Sequence, residues 1–262
     1  IENLGSREGI LKAKMEIAQG IAPGGYLVLN GDEPLLRGAT IKKGITPIYY
    51  GVENQENDFY ATNIQSFDDH TIFEVRGRMQ RTVRINTVGV HNVYNALAAM
   101  CVGFLLGIGP EKMQEGLLAF QNAAMRQNIY QKNGITIIDD CYNANPDSMK
   151  AALKVLAGKE GKKIAVLGDM LELGSYSQLG HNEVGACARQ LGIDLVLCYG
   201  EESRYIAEGF VKNRDPQQKA AYFSDKEMLA QCLKSQLCPG DVVLFKGSRG
   251  MKMEELIPML DA

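Results

Sequence analysis

Hydrophobic positions along this chain follow two rhythms, and the change from one to the other comes near the middle. From about residue 27 to residue 90, short apolar runs succeed one another: YLVLN, PIYYG, FYATNI, TIFEVRG and RTVRINT. Gly, Asn and Asp separate them, and their β-branched and aromatic content predicts strands. Two helices are predicted next, over about 91–107 and 110–121. Pro110 opens the second, where its fixed φ and missing N–H do no harm. From Gly134 onward, the runs ITIID, KIAVLG, LVLCYG, AAYF and VVLFKG alternate with helical stretches near 147–158, 181–192, 202–211, 225–235 and 252–260. Such alternation predicts βαβ units, hence an α/β fold with a mostly parallel sheet. The change of rhythm puts a domain boundary near 122–134.

The segment after ENLGS has helical periodicity. At roughly 100° per residue, Ile10, Leu11, Ala13, Met15, Ile17, Ala18 and Ile21 make one apolar stripe, with Lys14 in its middle and Lys12 opposite. A lysine aimed into a core must be paired or neutralised, because an isolated buried ammonium is costly. Lys14 is therefore either a lysine snorkelling to a nearby carboxylate or one modified or paired at a charged site.

Composition narrows the possibilities. A chain of 262 residues can form one large domain or two of ordinary size with full cores. A net charge of -3 offers no general attraction for nucleic acid or an anionic membrane, so an anionic ligand must be held locally. The most apolar stretch, ALAAMCVGFLLGIG, is shorter than the run of roughly 20 residues that spans a bilayer, and glycines interrupt it. Neither nucleic-acid binding nor membrane insertion is expected. Six scattered cysteines suggest reduced thiols and a cytoplasmic location. His70, His91 and His181 are too far apart in sequence to suggest a metal site. Because the chain begins with Ile1, it reads as a piece of a longer protein.

Chemistry concentrates where strands are predicted to stop. IIDDCYNANP ends one of them, and ligands of open parallel sheets sit beyond the carboxyl ends of strands. Asp140 could accept both hydroxyls of a ribose. Asp139, Asp140 and Asn145 could instead form a turn and cap before Pro146, which explains one or two of the polar residues but not all five. VLGDMLELG and VLFKGSRG end two further strands. Lys246, Ser248 and Arg249 are expected to form a cationic lip for a carboxylate, although charges at such turns are often only solvated. In GVHNVYNALAAM, Asn92 and Asn95 share the first turn of a helix and offer the donor and acceptor that suit an adenine edge. Asn92 would serve equally well as a helix cap. No G-x-x-x-x-G-K-[ST] and no G-x-G-x-x-G occurs, so any phosphate cradle lies outside this stretch.

In this order, IENLGSREGILKAKMEI, LNGDEP, GVHNVYNALAA, DDCYNANPDSM, LGDMLELG with HNEVG, and KGSRGMKMEEL resemble the Mur ligases of bacterial cell-wall synthesis. The likeness is greatest to the branch that adds D-alanyl-D-alanine to UDP-N-acetylmuramoyl-tripeptide, and it runs from Ile1 almost to the last residue. It implies that residues 1–125 are the later part of the central ATP-binding domain and 126–262 a Rossmann-like C-terminal domain. It also implies ATP-dependent amide formation through an acyl phosphate, with ATP and Mg2+ as cofactors and closure about a hinge near 122–134. The family's N-terminal domain, P-loop and upstream metal ligands are absent from this stretch, so the piece alone is expected to be inactive.

Carried over to these positions, the resemblance makes Lys14 a carbamylated lysine that helps hold magnesium, and Asn92 and Asn95 the adenine pair. Arg126 becomes a hinge arginine reaching toward the terminal phosphate, and Asp140 the ribose partner. Tyr142, Asn143, Asn145, Lys246, Ser248 and Arg249 form the wall where dipeptide and growing peptide meet. A monomer is expected. Alternatives are another Mur or folylpolyglutamate-type ligase and a non-catalytic nucleotide- or peptide-binding module. The DNPR of the diaminopimelate-adding branch is missing, and a dinucleotide oxidoreductase would need the glycine fingerprint.

Overall fold

The computed structural model describes residues 5–212 and 215–261, so the first four residues of the IENLGS stretch lie outside the described part. Contacts divide the chain into two units, with the division in sequence falling between Gln121 and Asn122.

The first unit begins with α1 (Arg7–Met15), capped by the Ser6 hydroxyl, which accepts the Gly9 N–H. It continues through β1 (Tyr26–Asn30), α2 (Pro34–Arg37), β2 (Thr46–Gly51), β3 (Phe59–Ser66), β4 (Thr71–Gly77), β5 (Arg81–Ile85), α3 (Val90–Leu105) and α4 (Pro110–Ala119). The five strands make one sheet in sequence order. Its first three strands run parallel and its last three antiparallel. Period-two alternation sends Phe73 and Val75 of β4 to one face, where Val93, Leu97, Met100 and Cys101 of α3 cover them together with Ile48, Phe59 and Val83. Each such side chain contributes about 1.5–3 kcal/mol by leaving water.

The expected helix with an apolar stripe reaching Ile21 is corrected. It stops at Met15, and Glu16–Gly20 form a 3-10 turn. Three residues per turn instead of 3.6 rotate the pattern, leaving Ile17 67% exposed and only Ala18 of the turn buried. No residue of α1 is buried, and Lys14 is exposed rather than aimed into a core.

The second unit holds β6 (Asn128–Lys132), β7 (Ile135–Asp139), α5 (Pro146–Ala157), β8 (Lys163–Gly168), α6 (Ser177–Gln190), β9 (Leu195–Tyr199), α7 (Arg204–Val211), β10 (Lys219–Phe223), α8 (Lys226–Gln236), β11 (Val242–Lys246) and α9 (Leu256–Met259). Strand order is β10-β9-β8-β11-β7-β6, all parallel except β6 at one edge. Every residue of β11 is buried, as a strand covered on both faces requires. Leu229 and Leu233 of α8 and Leu256 and Ile257 of α9 pack with Ile164, Val243 and Phe245 of the sheet.

β6 was not foreseen. It forms a hairpin with β7 through Asn133 and Gly134, whose φ values of 53° and 77° suit the type I′ turn that Asn-Gly favours. The helix expected over 252–260 is also corrected. Lys252 sits in the left-handed region at φ 47°, ψ 51°, between 3-10 turns at Arg249–Met251 and Met253–Glu255, and only α9 is α-helical. No described helix is long and apolar enough to cross a membrane, and the six cysteines are free thiols.

Candidate functional site

In the first unit, Asn92 is buried at the start of α3, where its amide donates to the Val88 carbonyl at 2.9 Å. Its side-chain oxygen accepts from the Asn95 amide at 3.4 Å. Both residues line a cavity of about 1010 Å³ with Ala99, Gly103, Met113 and Phe120, bounded by α3 and α4. The capping role anticipated for Asn92 is not realised, because Gly89 is the N-cap of α3 and Asn92 lies inside the first turn, donating back to a carbonyl. Asn95 lies exposed on the wall. Lys14 lines a separate cavity of about 170 Å³ with Ile10, Leu11, Leu36, Arg7 and Glu33. Arg7 and Glu33 form an ion pair at 2.9 Å.

LNGDEP contains a carboxylate that accepts five hydrogen bonds. Asp32 Oδ2 accepts from the Val52 N–H at 2.5 Å, the Glu53 N–H at 2.9 Å and the Tyr94 hydroxyl at 2.7 Å. Its Oδ1 accepts from the Asn54 N–H and the Asn57 amide, both at 3.0 Å. Burial works to raise the Asp32 pKa, but the bonds from Glu53, Val52, Tyr94 and Asn54 outweigh it and the net shift is downward. Burial, then the bond to Asp32, pushes the Tyr94 phenol up. The sequence alone assigned Asp32 no role. An Asp just after a strand, following Gly31 and two residues before Pro34, was the available signal.

In the second unit, the three polar loops fall on neighbouring strands, because β11 lies between β8 and β7. Asp140 follows β7, and its N–H donates to the Phe245 carbonyl at 3.0 Å. Its Oδ2 meets Lys246 Nζ at 2.6 Å, and its Oδ1 accepts the Gln127 N–H at 3.1 Å. Lys246 also donates to the carbonyls of Asn143 at 2.9 Å and Asp140 at 3.4 Å. Ser248 ties the same three strand ends. Its N–H donates to the Asp169 carbonyl, and its hydroxyl accepts the Leu171 N–H at 2.9 Å and lies 3.5 Å from the Ala144 carbonyl.

The expected cationic lip is corrected accordingly. Lys246 and Ser248 are 2% and 4% exposed and act as internal braces, because β7 and β8 flank β11 on both sides. Arg249 alone of the three is exposed; it pairs with Glu254 at 2.7 Å and reaches Met125 Sδ at 3.3 Å. Arg126 is exposed with its guanidinium 4.1 Å above the Tyr142 ring, whose backbone N–H donates to the Met125 carbonyl at 2.9 Å. Asn143 is exposed. Asn145 caps α5: its side-chain oxygen accepts the Ser148 N–H at 2.8 Å, and its N–H donates to the Ser148 hydroxyl at 3.0 Å. The local reading of Asn145 therefore accounts for its oxygen.

Behind this edge, the GDMLELG loop is held from within. The Met170 N–H donates to His181 Nε2 at 3.0 Å, and the other ring nitrogen lies 2.8 Å from the Ser177 carbonyl. Burial pushes the Asp169 carboxyl up although it accepts the Ser203 N–H at 2.7 Å. Burial likewise raises Asp139, which faces Cys141 instead of Lys246. Adjacent aspartates thus sit in opposite environments, and only Asp140 has a cation.

Residues 1–103 match the Mur ligase middle domain family, and residues 125–249 match the family described as Mur ligase, glutamate ligase domain. The UDP-N-acetylmuramoyl-tripeptide--D-alanyl-D-alanine ligase of Bacillus subtilis is 40% identical over 260 residues, covering 98% of this chain and 56% of that protein. A crystal structure of MurF from Acinetobacter baumannii superposes with a TM-score of 0.85 at 31% identity, over 98% of this chain and 56% of its own. MurF of Thermotoga maritima in complex with ADP gives 0.84 at 28% identity, over 98% and 58%. The chain spans a little over half the length of the curated relatives it matches.

Proposed function

The chain belongs to the Mur ligase family, and from that premise we propose that it is the nucleotide- and acceptor-handling portion of an ATP-dependent peptide ligase. The ligase would join D-alanyl-D-alanine to UDP-N-acetylmuramoyl-tripeptide during cytoplasmic peptidoglycan synthesis. The observation that carries the reading is the convergence of three polar loops on adjacent strand ends, β8-β11-β7, locked together by Lys246 and Ser248. The Thermotoga maritima relative was solved in complex with ADP, which supports a nucleotide as one of the ligands.

In the reaction, the terminal tripeptide carboxylate attacks the γ-phosphorus of ATP, giving an acyl phosphate and ADP. The free amine of the dipeptide attacks the acyl carbon, and the tetrahedral adduct expels phosphate as the amine loses its proton. Charge accumulates on phosphoryl and oxyanion oxygens, so the protein contributes chiefly alignment and fixed positive charge. Asp140 would accept the ribose hydroxyls, while Asn95, steadied by Asn92, would read the adenine edge. Arg126, exposed and stacked on Tyr142, would face phosphoryl charge. Arg249 and the loop carrying Tyr142, Asn143 and Asn145 would meet the dipeptide, with Ser248 supporting them from below.

Magnesium does not find a site in these residues alone. No cluster of three or more His, Cys, Asp and Glu side chains suited to a metal occurs among the described residues, and a carbamylated Lys14 would add one carboxylate. When bound, the metal would neutralise charge on the phosphoryl oxygens.

The test is phosphate release by the complete native polypeptide. Release should require ATP, the UDP-linked tripeptide and D-alanyl-D-alanine together; release independent of the dipeptide, or none, removes the assignment. Asp140→Asn should raise the dissociation constant for ATP about tenfold or more, because a charged acceptor is replaced by a neutral one.

A further inference from the structure

We propose that Lys246 is a positioning residue of the nucleotide site, one that holds Asp140 and touches no ligand itself. The proposal rests on the reading of Asp140 as the ribose partner.

An ammonium has three N–H donors. Those of Lys246 have three acceptors inside the protein: Asp140 Oδ2 at 2.6 Å, the Asn143 carbonyl at 2.9 Å and the Asp140 carbonyl at 3.4 Å. With its side chain 3% exposed, Lys246 has neither a spare donor nor a path to solvent. A substrate carboxylate would have to break an existing bond to reach it.

Asp140 is the complement. A carboxylate has about four lone-pair directions, and here each oxygen spends one, on Lys246 and on the Gln127 N–H. One direction per oxygen remains. The side chain is 18% exposed, so those directions are within reach of a vicinal diol. Lys246 thus fixes which edge of the carboxylate is offered, in addition to balancing its charge.

The same ammonium influences both sides of the site. Met125 and Gln127 have positive φ values of 59° and 49°, a conformation non-glycine residues hold only when their surroundings enforce it. Asp140 holds Gln127, the Tyr142 N–H holds Met125, and Arg126 lies between them. Through the Asn143 carbonyl, Lys246 also pins the loop that carries Tyr142, the ring under the Arg126 guanidinium.

A double-mutant cycle on ATP affinity in the complete native polypeptide tests this. Lys246→Met and Asp140→Asn should each raise the dissociation constant about tenfold, and the double variant should bind no more weakly than the weaker single. A residue that serves only the fold would lower the melting temperature and leave the affinity of the folded protein unchanged. If Lys246→Met does not fold, Lys246→Gln retains a donor of similar reach and carries the same expectation. Unchanged affinity in a folded Lys246 variant, with Asp140→Asn weakened, overturns the proposal alone, as do effects that multiply in the double variant. If Asp140→Asn binds ATP normally, the ribose reading fails and the proposal fails with it.

Discussion

Replacing Asp32 with asparagine keeps the shape of the side chain and removes one acceptor oxygen, which makes it a direct test of what holds the first unit together. Five donors converge on the native carboxylate, three on Oδ2 and two on Oδ1. Whichever way the new amide turns, its NH2 must face at least two of them. Each lost bond costs about 1 kcal/mol once solvent access to this half-buried loop is allowed for, and the other three weaken as the acceptor loses its charge. The total comes to about 3 kcal/mol, or a fall of about 12 °C in the melting temperature of a unit this size.

The pH dependence has a definite sign. The folded carboxyl lies below its unfolded value, so its contribution is complete above the unfolded pKa of about 3.9 and is lost as pH falls through the folded pKa. The gap between native and variant should therefore be widest at neutral pH and close in acid. Because the chain has no tryptophan, circular dichroism should follow unfolding, and amide exchange at Val52, Glu53 and Asn54 reports the bonds directly. A variant within 0.5 kcal/mol of native, or unchanged protection of those three amides, would refute the reasoning.

Asn145→Ala should cost about 1 kcal/mol by removing the capping box of α5, read as a lower melting temperature; an unchanged melt would contradict the cap. Gly200→Ala should cost about 3 kcal/mol or more. Its φ is +113°, and an added Cβ would lie 2.4 Å from an Asp169 carboxylate oxygen, so near-native stability in urea would be incompatible with that geometry. Lys14→Ala should abolish turnover of the complete polypeptide, with partial recovery on adding a short carboxylate that replaces a carbamate. Full activity without the additive would end that idea.

The parallel sheet of the second unit was legible because strands buried on both faces write themselves as continuous apolar runs such as KIAVLG and VVLFK. β6 was not, because NIYQK lies at an exposed edge with polar positions, and only Asn133-Gly134 gave it away. Asp140 could be singled out from its place at a strand end. Its partner was misjudged because a lysine at the end of a strand looks solvated until the neighbouring strands are known, and those come from residues over a hundred and about eighty positions earlier. The core-facing placement of Lys14 failed for a local reason: angular counting assumed an α-helix through Ile21, and the backbone tightened after Met15.

The position of β11 also bears on how the protein is made. The last described strand occupies the middle of its sheet, with Val242 beside both Thr136 and Lys163. While the chain is being synthesised, β7 and β8 must wait for it with facing edges unpaired, a state prone to wrong pairing and aggregation. Such long-range closure is slow. Shortening the protein ahead of Val242 should therefore cost it soluble yield as well as the three-loop edge, and a chaperone that shields open strands should help the nascent protein most in the interval before β11 emerges.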